Sequence, residues 1–158
     1  MSKLNHKVII YIIGVLLLFN GGLMLLATIA SWLMKDTVTF EMTVSAFVVM
    51  ILGGFMMLIS RNHEAQIHKR EGYLIVTLGW MVMTLTGMIP YILTDTIEDL
   101  PSIFFETMSG YTATGSTILT DIESLPAGIL FWRSMTHWIG GMGIIVLAIA
   151  ILPLLGIG

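Results

Sequence analysis

Apolar residues along this chain come in long runs. Uncharged apolar windows extend over Val8–Met34, Met42–Ser60 and Gly72–Thr94, and a fourth, interrupted by Arg133, covers Gly128–Leu155. Each is near or above the roughly 20 residues that cross a hydrocarbon core about 30 Å thick. Four spanning helices are predicted. Between the last two windows the pattern changes. Leu100-Pro101-Ser102 puts proline where a helix's first turn tolerates it, Glu98 and Asp99 sit at the favourable N-terminal end, and Gly110 can close the helix. A helix over 101–110 is only about 15 Å long, half a membrane. Its Ile103, Phe104, Phe105 and Met108 suit membrane depth, so the segment is expected to dip in and return. The predicted fold is an all-α polytopic membrane protein: four transmembrane helices plus a re-entrant pore half-helix and filter loop.

Composition agrees, with 56% hydrophobic and 11% charged residues and a mean hydropathy of +0.94. A soluble globular domain carries about 25% charged residues. The first window is too long for a signal-peptide core, and no A-x-A site follows it. There is no cysteine, hence neither disulfide nor thiolate metal site. Lys3 and Lys7 precede the first window, and Arg61, Lys69 and Arg70 lie between the second and third; only Lys35 and Arg133 fall on the other side. The positive-inside bias therefore places the N-terminus in the cytoplasm. Residues 94–127 are then extracytoplasmic, and they carry Asp95, Glu98, Asp99, Glu106, Asp121 and Glu123 but no lysine or arginine. Such a rim can concentrate cations at a pore mouth, or can be a set of ordinary solvated carboxylates.

The half-helix is followed by "GYTATGST", Gly110–Thr117. Irregular backbone at membrane depth survives only when buried in protein or lining a wet cavity. A dehydrated monovalent cation needs replacement oxygens, and backbone carbonyls supply them without a net charge that would trap it. Gly110 and Gly115 give access to conformations with carbonyls turned inward. The hydroxyls of Thr112, Thr114, Ser116 and Thr117 can add oxygens or brace the loop. Glu106 shares a helical face with Ser102 and Ser109, so it can accept loop N–H groups or pair with Arg133; a solvated interfacial glutamate is the alternative. Arg133 and His137, one turn apart and flanked by Trp132 and Trp138, read either as a brace for the loop or as an interfacial anchor. The bland alternative for the whole stretch is a polar extracellular loop with a capped helix.

The pair "FFETMSGYTATGST" and "FWRSMTHWIGGMG" resembles the Trk/Ktr/HKT superfamily of potassium-uptake membrane subunits, in particular bacterial Trk-type transporters with two helices ahead of the first helix–pore-loop–helix unit. The resemblance implies potassium uptake through a carbonyl-lined filter, with this chain supplying one of four pore units. It implies that Thr112, Ala113, Thr114 and Gly115 bind potassium through filter carbonyls, and that Glu106, Gly110, Ser116, Thr117 and Arg133 support them. In that family glycine at the place of Gly115 goes with potassium preference, serine with sodium permeability in some members. Residues 1–71 become the N-terminal helix pair and cytoplasmic loop. Residues 72–158 become the first repeat, with outer helix 72–94, half-helix 101–110, filter 111–117 and inner helix 128–155. Four units are needed to close a filter ring, so the expectation is an N-terminal portion of a longer chain in a bacterial cytoplasmic membrane. Implied partners are K⁺, the lipid bilayer, further repeats of that longer chain, a second copy in a homodimer and a cytoplasmic nucleotide-binding regulatory subunit, but no nucleic acid.

No nucleophile–base pair or metal triad is visible, so neither an enzyme nor a cofactor is expected. His63 and His68 in "HEAQIH" miss the spacing of a helical zinc site. Gly140, Gly141 and Gly143 are expected to allow close helix packing, and the 13 methionines suit irregular apolar packing better than metal binding. Asn20-Gly21-Gly22 marks either a helix contact or a kink. The rival function is a four-helix accessory or scaffold protein without transport activity.

Overall fold

The computed structural model describes residues 5–61 and 69–151. Among the described residues six helices follow in order: α1 (His6–Leu33), α2 (Thr39–Ile59), α3 (Lys69–Gly87), α4 (Ile89–Leu93), α5 (Leu100–Tyr111) and α6 (Ala127–Ile151). No strand occurs among the described residues. Three described stretches are long and apolar enough to cross a membrane: α1, α2 and Arg70–Leu93, which joins most of α3 to α4. Lys3, His63, His68 and the last part of the expected inner helix, 152–155, lie outside the described residues.

The first two helices form an antiparallel hairpin whose contact is set by glycine. A Cβ at Gly14 would lie 2.8 Å from the Gly53 carbonyl oxygen, and one at Gly53 would lie 2.8 Å from the Gly14 carbonyl oxygen. Two turns on, Gly21 faces Ala46 and Met50. Lipid tails are as apolar as leucine, so helices associate in a membrane chiefly by such close backbone approach. The "NGG" of α1 is therefore a contact and not a kink, and the helix runs unbroken through it. Facing outward are Phe40, Ile51, Phe55 and Leu58, with Phe40 74% exposed.

Polar ties fasten this hairpin to the rest. The Asn5 side chain caps α1 by accepting the Val8 N–H at 3.3 Å, and the Asn5 N–H donates to Glu71 Oε1 at 2.7 Å, joining the starts of α1 and α3. In the α1–α2 turn, where Lys35 takes φ 57°, Asp36 Oδ2 accepts the Gly128 N–H at the start of α6, 2.8 Å. A carboxylate there also meets the positive end of the helix dipole.

The outer helix expected over 72–94 is broken at Met88. Pro90 in the first turn of α4 lacks the N–H that would continue the ladder, and its ring crowds the preceding turn. The Gly87 carbonyl is instead bonded by Trp132 Nε1 at 3.1 Å. Tyr91, Tyr111 and Trp132 are buried at the centre, where α3, α4, α5 and α6 meet.

Candidate functional site

The half-helix begins as its sequence dictates. Asp99 caps α5 by accepting the Ser102 N–H at 2.9 Å, and Pro101 occupies the first turn. Its 12 residues make it about 18 Å long. It ends at Tyr111, one residue beyond the expected Gly110, and the reason corrects the role given to that glycine. Gly110 has no positive φ; it sits within the last turn, where any Cβ would collide with the Thr136 hydroxyl on α6. Gly140 on α6 likewise lets that helix lie against the Gly110 and Tyr111 carbonyls. The close approach of α5 and α6 is thus built on glycine from both sides.

The turn after α5 is made by Ala113, at φ 53°. Its N–H donates to the Gly110 carbonyl at 2.9 Å and the Thr114 N–H to the Ser109 carbonyl at 3.0 Å. These two bonds are the helix-ending pattern that usually has glycine in the left-handed position. Gly115, at φ 78°, turns the chain again and faces open space. Residues 113–118 are exposed. Among the described residues no hydrogen bond reaches the carbonyls of Thr112, Ala113, Thr114 or Gly115, whereas the Ser116 carbonyl is bonded by Ser109 Oγ at 2.6 Å. Thr112 Oγ1 donates back to the Met108 carbonyl at 2.8 Å and lies 2.8 Å from Thr114 Oγ1.

Glu106 makes both of the contacts that the sequence left as alternatives. Its side chain is fully buried; Oε1 accepts from Arg133 Nε at 2.7 Å, and Oε2 accepts the Thr117 hydroxyl at 2.8 Å and the Ile118 N–H at 3.2 Å. Thr117 Oγ1 then accepts the Leu119 N–H at 3.1 Å. One carboxylate so ties the returning strand of the loop to α5 and, through Arg133, to α6. Charge-assisted bonds of this kind are roughly twice as strong as neutral ones. His137 Nδ1 donates to the Arg133 carbonyl at 2.9 Å and makes no part of the loop's support.

The outer carboxylates Asp95, Glu98, Asp99, Asp121 and Glu123 are all exposed. Two have local work: Asp99 caps α5, and Asp121 Oδ1 accepts the Ser124 N–H at 3.3 Å. Hydrogen bonds from the Ser102 hydroxyl and N–H hold the Asp99 carboxyl below the usual range. Sequence reasoning read Asn20 only as part of a helix contact or kink and Tyr111 only as the start of the filter segment, and missed the bond between them. Tyr111 Oη donates to Asn20 Oδ1 at 2.7 Å, and both are fully buried. A lone asparagine inside an apolar helix was the available signal.

Membrane-length apolar helices around a short capped helix and a loop of open carbonyls define a helical multi-pass membrane protein. The family follows from comparison. A family model described as "TrkH: Cation transport protein" matches residues 39–158, and the chain belongs to this TrkH family of cation transport proteins. The "Trk system potassium uptake protein TrkH" of Escherichia coli K12 is 38% identical over 156 residues, 98% of this chain and 32% of that protein. The "Trk system potassium uptake protein TrkG" of the same organism is 31% identical over 160 residues, 100% of this chain and 33% of that one. The crystal structure of the potassium transporter TrkH from Vibrio parahaemolyticus superposes with a TM-score of 0.89 at 38% identity, covering 97% of this chain and 33% of that one. The chain thus spans about a third of the length of the curated relatives it matches.

Proposed function

We propose that this chain supplies the first of four pore units in a Trk-type potassium-uptake transporter, and that Thr112, Ala113, Thr114 and Gly115 line its filter with carbonyl oxygens. The observation that carries this reading is the run of four carbonyls without a hydrogen-bond partner among the described residues, in a largely exposed loop whose returning end is tied to the buried Glu106 carboxylate paired with Arg133. Oxygens left open in this way can replace the water of a monovalent cation. The tethering keeps them in place while the ion passes. Potassium is the ion named for the relatives, and Gly115 agrees with it.

In this reading α1, α2, the α3–α4 stretch and α6 span the membrane and α5 is re-entrant. Glu106, Ser116, Thr117 and Arg133 hold the loop from behind, and Gly110 contributes by letting α5 approach α6. Since a ring of four loops cannot be closed by one, the remaining units belong to the same longer chain. The distribution of basic residues supports a cytoplasmic N-terminus with the acidic segment outside, and the family resemblance supports a bacterial cytoplasmic membrane. The family resemblance adds a homodimer and a cytoplasmic nucleotide-binding regulatory subunit. No covalent step is involved and no cofactor is needed. The scaffold alternative leaves both the open carbonyls and the buried ion pair without a use.

The test is Gly115→Ser in the full-length transporter carrying these residues. At φ 78° a Cβ is disfavoured, so one quadrant of the filter should distort while the fold persists. The potassium-to-sodium permeability ratio, read from reversal potentials, should fall at near-normal membrane expression. Ser116→Ala should change it less. An unchanged ratio in well-expressed Gly115→Ser protein contradicts the assignment.

A further inference from the structure

The returning end of the loop is tied to α6 through Glu106 and Arg133. Its leading end is held by a different device. Tyr111 is the last residue of α5 and directly precedes Thr112. Its ring stands edge-on to Trp132, with centroids 6.5 Å apart at 74°. Its ring also fills the space over Gly87, where an added Cβ would lie 2.6 Å from Tyr111 Cε2. These contacts set the plane of the ring but leave its hydroxyl deep in an apolar interior. That hydroxyl donates to Asn20 Oδ1 at 2.7 Å, and Asn20 Nδ2 donates in turn to Thr86 Oγ1 at 3.4 Å.

Asn20 lies on α1, in sequence well outside the half-helix, the loop and α6. An unpaired hydroxyl or amide is strongly disfavoured in hydrocarbon, so both groups are held to the geometry that pairs them. A leucine at position 20 would suit the apolar helix better. We infer that Asn20 is a positioning residue for the ion-coordinating loop: by fixing the Tyr111 hydroxyl it fixes the last turn of α5 and hence the direction in which the Thr112 and Ala113 carbonyls leave it. The N-terminal hairpin is then a working part of the filter rather than a lipid-facing addition. This inference rests on the filter reading of residues 112–115.

The experiment uses the full-length transporter carrying these residues, with Tyr111→Phe, Asn20→Leu, their double variant, Thr86→Val and Gly115→Ser compared at matched membrane expression. Tyr111→Phe removes one oxygen and keeps the ring, so it carries the test even where Asn20→Leu fails to reach the membrane. The potassium-to-sodium permeability ratio should fall about threefold or more in Tyr111→Phe and in Asn20→Leu, and no further in the double variant, because the Tyr111–Asn20 bond is lost in all three. Thr86→Val breaks only the outer bond of the pair. It should lower thermal stability without moving the ratio, which separates positioning from general damage. An unchanged ratio in Tyr111→Phe overturns the inference, as do equal shifts in Tyr111→Phe and Thr86→Val. Should Gly115→Ser alone shift the ratio, the filter reading stands and this inference falls; should Gly115→Ser leave it unchanged, the filter reading itself has failed.

Discussion

The α1–α2 hairpin and the α5–loop–α6 unit are built by opposite means. In the hairpin, glycine backbones at Gly14, Gly21 and Gly53 meet the partner helix directly, and the outward faces are simply apolar. Around the loop the same close approach occurs at Gly110 and Gly140, but it is overlaid with an ion pair of a buried Glu106 to a half-buried Arg133 and a series of side-chain bonds to backbone. Packing suffices to join the two helices of the hairpin to each other, and polar bonds such as that of Asn20 to Tyr111 are kept for its contacts with the rest. Where irregular backbone must keep some carbonyls open and still not collapse, every other polar group has to be assigned a partner.

The largest way to break this contrast is to remove the carboxylate. Glu106→Ala leaves Arg133, Thr117 and the Ile118 N–H without their acceptor and should cost about 3 kcal/mol or more, as does loss of one partner of a buried pair. Thermal or denaturant unfolding in detergent measures it. Replacing both Glu106 and Arg133 by methionine should cost less than Glu106→Ala alone, because no uncompensated charge remains. Equal losses would mean that the pair is not energetically coupled.

A smaller loss is expected from the hairpin. Gly53→Val places methyl groups against the Gly14 carbonyl and the Leu17 side chain, and such overpacking costs about 1–3 kcal/mol. Its signature sharpens the comparison: stability should fall while the potassium-to-sodium ratio of the full-length transporter stays at the native value. A changed ratio would show that the hairpin's packing, and not only Asn20, reaches the loop.

The smallest effect belongs to the cap of α5. Hydrogen bonds from the Ser102 hydroxyl and N–H lower the Asp99 pKa in the folded state. A depressed carboxyl pKa stabilises the fold above the unfolded value near 4 and loses that contribution as pH falls through the folded one. Asp99→Ala should therefore lower the thermal midpoint slightly at pH 7, and the difference from the native chain should vanish in acid. A difference that persists in acid would place the effect outside the cap's charge.

Much of this was legible in the chain because hydropathy reports membrane-length helices directly. The windows Val8–Met34 and Met42–Ser60 correspond to α1 and α2 with ends shifted by one to three residues. The break at Met88 was not read, although Pro90 gave the signal, because an apolar run hides an interruption that the opposite wall satisfies through Trp132. In the loop, glycine was a sound guide at Gly115 and misleading at Gly110, where its value is lack of bulk and not freedom of φ. Ala113 took the left-handed turn that glycine usually takes, which no residue-type rule announces. Glu106 and Arg133 were recognisable as candidates, but spacing along two helices separated by a return loop could not decide between pairing with each other and bonding the loop. The Asn20–Tyr111 bond joins residues 91 positions apart, and single-sequence patterns carry no distance of that kind.

The most direct measurement is anomalous diffraction from crystals of the full-length transporter grown or soaked in a thallium or rubidium salt. These ions stand in for potassium and can be located without reference to the protein phases. A peak within direct coordination distance of the Thr112–Gly115 carbonyls, weakened more by added potassium than by the same concentration of sodium, is the result expected of a potassium filter. A well-ordered loop with no peak at those carbonyls, or a peak held by the exposed outer carboxylates instead, would contradict the assignment of residues 112–115.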